Sequence, residues 1–229
     1  VKGLSEKKTK EPQYQIQIET FNEKGLSQLG LMTSHIWRTD PRHLGFLLSR
    51  YKFCAKMLTG KNSVLEVGCG DGFGIPIVLQ SVKSVHATDF DPLFIANAKQ
   101  INAERTGVSF QVLDITKQKI DQKFDAVYSL DVIEHIDAKE ENVYLSHICE
   151  ALPKDGLCII GTPNINSSQY ASIWSQQGHI NMKDEHSLRE LLLKYFTNVF
   201  IFSMNDEVVH TGYYPMAHYL MAIAVGPRV

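Results

Sequence analysis

The sequence predicts an α/β fold, a mainly parallel, doubly wound sheet with helices on both faces. Three observations predict it. Strand-like apolar runs alternate with helix-like segments from about residue 63 onward. A glycine-rich loop, "VLEVGCGDGFG", joins the first strand to the helix after it. Two final strand-like runs follow one another without a convincing helix between them, so at least one strand is antiparallel.

The elements can be justified in chain order. "VKGLSEKKTKEP" is polar and aperiodic, which predicts a disordered tail over 1–12. One domain should fill 13–229: an N-terminal cap over 13–59, a core over 60–164, and a final helix with closing strands over 165–229. In "DPRHLGFLLSRYKFCAKML" Asp40 can cap a helix and Pro41 suits its first turn. Leu44, Leu47, Leu48, Tyr51, Cys54 and Leu58 recur on one face of it. The predicted strands are "SVLEVG", "SVHATD", "VSFQVLD", "FDAVYSL", "LCIIGTP", "NVFIFSM" and "HYLMAIAVG". Between them lie "GIPIVLQSV", "PLFIANAKQINAER", a short helix near Ile133, "EENVYLSHICEAL" and "SLRELLLKYF", the last capped by Ser187.

Composition narrows the function classes. A net charge of −2, from 23 basic and 25 acidic residues, argues against a broad nucleic-acid surface. No apolar run is long enough to span a bilayer. Cys54, Cys69, Cys149 and Cys158 form no CxxC pair, which predicts reduced thiols in a cytoplasmic protein. A monomer or homodimer is expected.

Glycines 68, 70, 72 and 74 allow close backbone approach to a ligand at a helix start. A dinucleotide site would want its third glycine at position 73, which is Phe, and Glu66 would repel a phosphate there. The sulfonium and amine of S-adenosylmethionine reverse that argument. Taken in order, "LEVGCGDG", "ATDFD", "FQVLDI", "FDAVYSLDVIEHI" and "LPKDGLCIIGTPN" resemble the class I S-adenosylmethionine-dependent methyltransferases, with a Rossmann-like seven-stranded sheet whose last strand is antiparallel. The resemblance covers about residues 60 to 164 and implies a role for each matching residue. Glu66, Gly68, Cys69 and Gly70 would line the methionine end. Asp89 would take the ribose hydroxyls, Phe90 would pack on the adenine, and Asp114 with Ile115 would meet the adenine edge. Ser129 and Leu130 would face the methionine portion.

After the fourth strand come Asp131, Glu134 and His135, in "SLDVIEHI". Three readings stand side by side. His135 could be a general base; Asp131, Glu134 and His135 could hold a divalent metal; or Asp131 could cap a helix while the others brace the cofactor loop. The segment resembles the "E-x-x-E-H" of ubiquinone-biosynthesis O-methyltransferases and small-RNA 3′-end 2′-O-methyltransferases. That resemblance implies a further ligand downstream of the fifth strand, here His179, with His186 second.

On the acceptor side the candidates are Trp37, Arg38 and Arg42, then Tyr170, Trp174 and His179, then His210 and Tyr214. Aromatic, His and Arg residues suit an anionic or sugar-like small acceptor. The expected activity is its O-methylation; N-methylation of an amine, RNA 2′-O-methylation and a non-catalytic cofactor-binding module are the alternatives. The apolar run before the end of the chain predicts a core strand, with an oligomer contact as its alternative.

Overall fold

The structure, a computed structural model, describes residues 8–228. Residues 1–7 of the predicted tail therefore lie outside the described residues, and Pro12–Tyr14 already form a 3-10 turn.

The strands are β1 (Ser63–Val67), β2 (Ser84–Asp89), β3 (Val108–Val112), β4 (Ala126–Leu130), β5 (Leu157–Pro163), β6 (Phe196–Asn205), β7 (Val208–His210) and β8 (Tyr219–Pro227). They form one sheet in the order β3-β2-β1-β4-β5-β8-β6-β7. The first five are mutually parallel, and β8 runs antiparallel to both its neighbours, β5 and β6. Among the described residues the sheet has eight strands where seven were expected. The extra one, β7, is three residues returning along β6 after a turn at Asp206 (φ 50°), too short to show a periodic pattern. The apolar C-terminal run is β8, an interior strand between β5 and β6, as expected of a core strand.

The helices are α1 (Gln15–Lys24), α2 (Leu31–Thr39), α3 (Arg42–Met57), α4 (Ile75–Val78), α5 (Pro92–Ile101), α6 (Glu141–Glu150), α7 (Ile173–Gly178) and α8 (Glu185–Leu193). Side chains along the strands alternate between two cores. Val64 and Tyr128 face a core that also contains Cys54, Ile75 and Ile95, from α3, α4 and α5. Leu65 and Val127 face one built with Leu145, Ile148, Leu188 and Leu192, from α6 and α8. This is the two-layer covering that parallel strands need.

Two predicted caps are corrected. Asp40 closes α2 through its backbone N–H to Ile36 O and makes no side-chain cap for α3. Ser187 is not the residue preceding α8; Asp184 is, and it accepts from Ser187 N at 2.8 Å while the Ser187 hydroxyl returns the contact. Asp184→Ala is expected to lower stability by about 1 kcal/mol, read from urea or thermal unfolding. An unchanged midpoint would remove this cap from the account.

The strand order reverses direction between β1 and β4. The crevice beyond the carboxyl ends of those strands is where open α/β sheets take ligands, because the loops there diverge to opposite faces.

Candidate active site

The loop after β1 is shaped by backbone that side chains disfavour. Gly68, Gly70 and Gly72 have φ of 79°, 53° and 70°. A Cβ added at Gly68 would lie 2.2 Å from Val132 Cγ2, so the turn after β4 rests directly on the loop. From the other side Met32 of α2 covers Gly70. Asp89, at the end of β2, accepts from Gly70 N at 2.9 Å and from Asp91 N at 3.0 Å. Asp71 is fully buried and accepts from Phe73 N, Thr33 N and the Thr33 hydroxyl, which pins α2 to the loop. Sequence reasoning missed Thr33, whose partner lies 38 residues on.

Glu66 is buried in β1. Its Oε1 accepts from the Tyr51 hydroxyl at 3.0 Å, and its Oε2 has no hydrogen-bond partner among the described residues. Burial raises its pKa to about 7, against the Tyr128 and Tyr51 hydroxyls that pull it down. The other predicted cofactor residues are placed as follows. Cys69 is buried in the loop, and Phe90 stands exposed at its rim. Ser129 donates to Val67 O at 2.9 Å and braces β1 against β4, and Leu130 is buried beside Gly161. Asp114 is engaged locally, accepting from Thr116 N, the Thr116 hydroxyl and Lys117 Nζ. The Ile115 carbonyl accepts from His147 of α6.

The short helix expected near Ile133 is present as one 3-10 turn. Asp131 has φ 57° and caps nothing; both its oxygens accept from Arg50 Nη1 at 2.8 Å. Ile133–His135 then form a single 3-10 turn that sends Glu134 inward and His135 outward. Glu134 is completely buried. Its Oε2 accepts from the Thr162 hydroxyl at 3.0 Å, and its Oε1 has no partner among the described residues. Burial first, and the neighbouring Asp131 charge second, hold its pKa above the ordinary carboxylate range.

His135 Nδ1 lies 2.9 Å from Gly178 O. A carbonyl only accepts, so Nδ1 carries the proton and the neutral ring has its lone pair on Nε2. His179 packs edge-on to His135, ring centroids 5.0 Å apart. Burial, then the nearby His135, lower the His179 pKa and favour its neutral form. Donor atoms of Glu134, His135 and His179 all lie within 4.8 Å of one another. Asp131, proposed from sequence as a fourth member of this set, is outside it, and Arg50 engages its carboxylate. His186, the second choice, is exposed on α8 and also outside it.

A cavity of about 280 Å³ adjoins His179, lined also by Ser168, Gln169, Ala171, Gln176 and Met182. Trp37 and Arg38 are exposed on α2, and Arg42 is exposed with its Nε on Asp40 at 3.3 Å. Tyr170 is exposed, and the Trp174 side chain lies outside the described residues. His210 and Tyr214 are taken up by the closing hairpin. His210 Nε2 meets Asn205 Oδ1 and its Nδ1 accepts from Gly212 N, while the Tyr214 hydroxyl donates to Ile201 O.

A parallel sheet closed by an antiparallel strand between β5 and β6, with a glycine loop at the switch point, is the Rossmann-like architecture of class I methyltransferases. The chain belongs to the methyltransferase domain family, whose sequence model matches residues 37–196. Among curated proteins it is 26% identical over 115 residues to a probable S-adenosylmethionine-dependent methyltransferase of Mycolicibacterium smegmatis, covering 50% of this chain and 42% of that protein. A probable S-adenosylmethionine-dependent methyltransferase of Mycobacterium tuberculosis matches equally, at 26% identity over 50% of this chain and 40% of its own length. The match thus spans less than half the length of these relatives. Among solved structures, PH0226 from Pyrococcus horikoshii OT3 is similar with a TM-score of 0.67 and 17% identity, over 85% of this chain and 99% of that one. The N-methyltransferase NodS from Bradyrhizobium japonicum WM9, in complex with S-adenosyl-L-homocysteine, has a TM-score of 0.61 and 18% identity over 84% and 92%. The methyltransferase domain of bacterial CtHen1 has a TM-score of 0.63 and 16% identity over 79% and 99%. At these identities the likeness is one of fold.

Proposed function

We propose that this protein transfers the methyl group of S-adenosylmethionine to a hydroxyl of a small, uncharged, sugar-like acceptor. The observation that carries the reading is the His135 ring, whose Nδ1–H is fixed on Gly178 O, so that Nε2 is left free beside the turn that rests on the glycine loop.

Two features fit the cofactor: the positive-φ glycines form a cradle that a Cβ would fill, and Glu66 Oε2 is a buried acceptor without a partner. Glu66, Gly68, Cys69 and Gly70 would hold the methionine end, Asp89 the ribose, and Phe90, Asp114 and Ile115 the adenine. Ser129 and Leu130 would form the pocket wall. When bound, the cofactor supplies a methyl already made electrophilic by its sulfonium. The chain's own tasks are then orientation and proton removal. His135 Nε2 takes the proton of the acceptor hydroxyl, and the Gly178 carbonyl steadies the imidazolium that results.

The cavity beside His179 supports the acceptor class. Ser168, Gln169 and Gln176 can both donate and accept, as sugar hydroxyls do, and Met182 and Ala171 add apolar surface. Among the described residues its lining includes no Arg, Lys, Asp or Glu, so a charged acceptor would lose hydration there without gaining a counterion from them. This favours the sugar-like over the anionic half of the expectation. The test is turnover of labelled S-adenosylmethionine across matched neutral glycosides and sugar acids. Turnover confined to the acids, or to amines, would sink the reading.

A second reading is favoured by one observation, the unpartnered Oε1 of Glu134 within 4.8 Å of the two histidines. These three residues would hold a divalent cation, whose chemistry would be to lower the pKa of the acceptor hydroxyl. Under this reading EDTA abolishes turnover and a divalent salt restores it; full activity after thorough chelation rejects it.

Glu66 gives a pH prediction. Its folded pKa, about 7, lies above its ordinary value of 4.5, so its contribution to the stability of the ligand-free protein is complete below pH 4.5 and is lost as pH rises through 7. A cationic ligand favours the ionised form, so S-adenosylmethionine affinity should rise roughly tenfold from pH 6 to pH 8. Calorimetry would show this slope, and Glu66→Gln should flatten it.

A further inference from the structure

We infer that Arg50 is a positioning residue, one that holds the turn after β4 in the shape from which His135 and Glu134 meet His179. The inference rests on the reading of His135 as an acceptor-side group. The turn begins at Asp131, in a left-handed conformation that few residues other than glycine adopt, Asp being one that tolerates it. Two contacts keep it there. Asp131 N donates to Gly161 O at 3.0 Å, and Arg50 Nη1 donates to both carboxylate oxygens at 2.8 Å.

Arg50 comes from α3, 81 residues earlier, and is buried; its guanidinium carbon lies 3.7 Å from the centroid of the Tyr219 ring. Its Nε has no partner among the described residues, so the Asp131 carboxylate and the aromatic face together set its orientation. Past Asp131 the chain has little slack. The Val132 side chain seats on Gly68, and the next three residues form the turn that ends at His135. If Asp131 relaxed to ordinary backbone angles, Val132 would leave the glycine loop and His135 would leave Gly178. A single buried guanidinium from the N-terminal cap therefore shapes the catalytic edge of the core.

The test reads the His135 ring directly and needs no acceptor. In long-range nitrogen–proton spectra, wild-type His135 should show one fixed tautomer with the proton on Nδ1. Arg50→Met is expected to abolish that signature. His86, held at both ring nitrogens by Ser109 and Gln111, should keep its own and so reports that the fold survives. Adding Asp131→Gly to Arg50→Met should restore the His135 signature, since glycine takes the left-handed angles freely and leaves no charge unpaired. A signature unchanged in Arg50→Met overturns the inference, as does a double variant that stays averaged while His86 is intact. If Arg50→Met does not fold, Asp131→Ala decides, since alanine removes the Arg50 contact and disfavours the left-handed angles: a lost His135 signature with His86 intact supports the inference, and a retained one overturns it. Calorimetry with S-adenosylhomocysteine is run alongside. Failure of the wild-type protein to bind it would sink the proposed function and leave the spectroscopic result standing.

Discussion

Asp89→Ala is expected to weaken S-adenosylhomocysteine binding by about 100-fold or more, because hydrogen bonds to a charged carboxylate contribute about 1.5–3 kcal/mol each and the ribose would lose two. The same carboxylate also accepts from Gly70 N and Asp91 N, so its removal frees the glycine loop as well. The two effects separate by substitution. Asp89→Asn keeps one carbonyl acceptor and should lose less than Asp89→Ala. Titration calorimetry reads both. Alanine binding as tightly as the native residue would place the ribose elsewhere and withdraw the assignment of this strand end.

The second large effect is at His135. His135→Ala should reduce turnover on any acceptor that the native protein methylates by about 10²–10⁴-fold, the usual range for a positioned general base. Binding of S-adenosylhomocysteine should be little changed. His135→Asn is the sharper variant: its amide can still donate to Gly178 O, but it has no basic nitrogen. It should be as inactive as alanine if proton removal or ligation matters. Near-native turnover in His135→Asn would instead make the residue a brace between the β4 turn and the end of α7.

Much of the fold was legible because its signals are local. Alternating strand and helix patterns, with a glycine loop after β1, dictate a parallel sheet and the edge at which a ligand sits. The interior position of β8 was legible in its unbroken apolar run. Three residues of β7 could not be seen, since a strand that short has no pattern of its own. The capping error at Ser187 arose in the same way. Asp184 and Ser187 both suit a helix start, and only their reciprocal hydrogen bonds show which one precedes it.

At the site, residue types were readable but pairings were not. Glu134, His135 and His179 stood out by motif, yet Glu134 turns inward only because the segment is a 3-10 turn rather than an α-helix. Asp131 looked like a cap or a ligand, and nothing local marks its actual partner, Arg50, which lies 81 residues earlier on α3. His210 and Tyr214, chosen for their chemistry, are used by the backbone of the hairpin that carries them.

The sequence by itself determined the family, the order of elements and the edge of the sheet where chemistry belongs, because hydrophobic period and glycine placement act over a few residues. Only the tertiary structure decided which buried polar groups compensate one another. Tyr51 with Glu66, Thr33 with Asp71 and Arg50 with Asp131 join residues 15, 38 and 81 positions apart. Burial makes such pairings energetically necessary, and burial is a property of the folded chain.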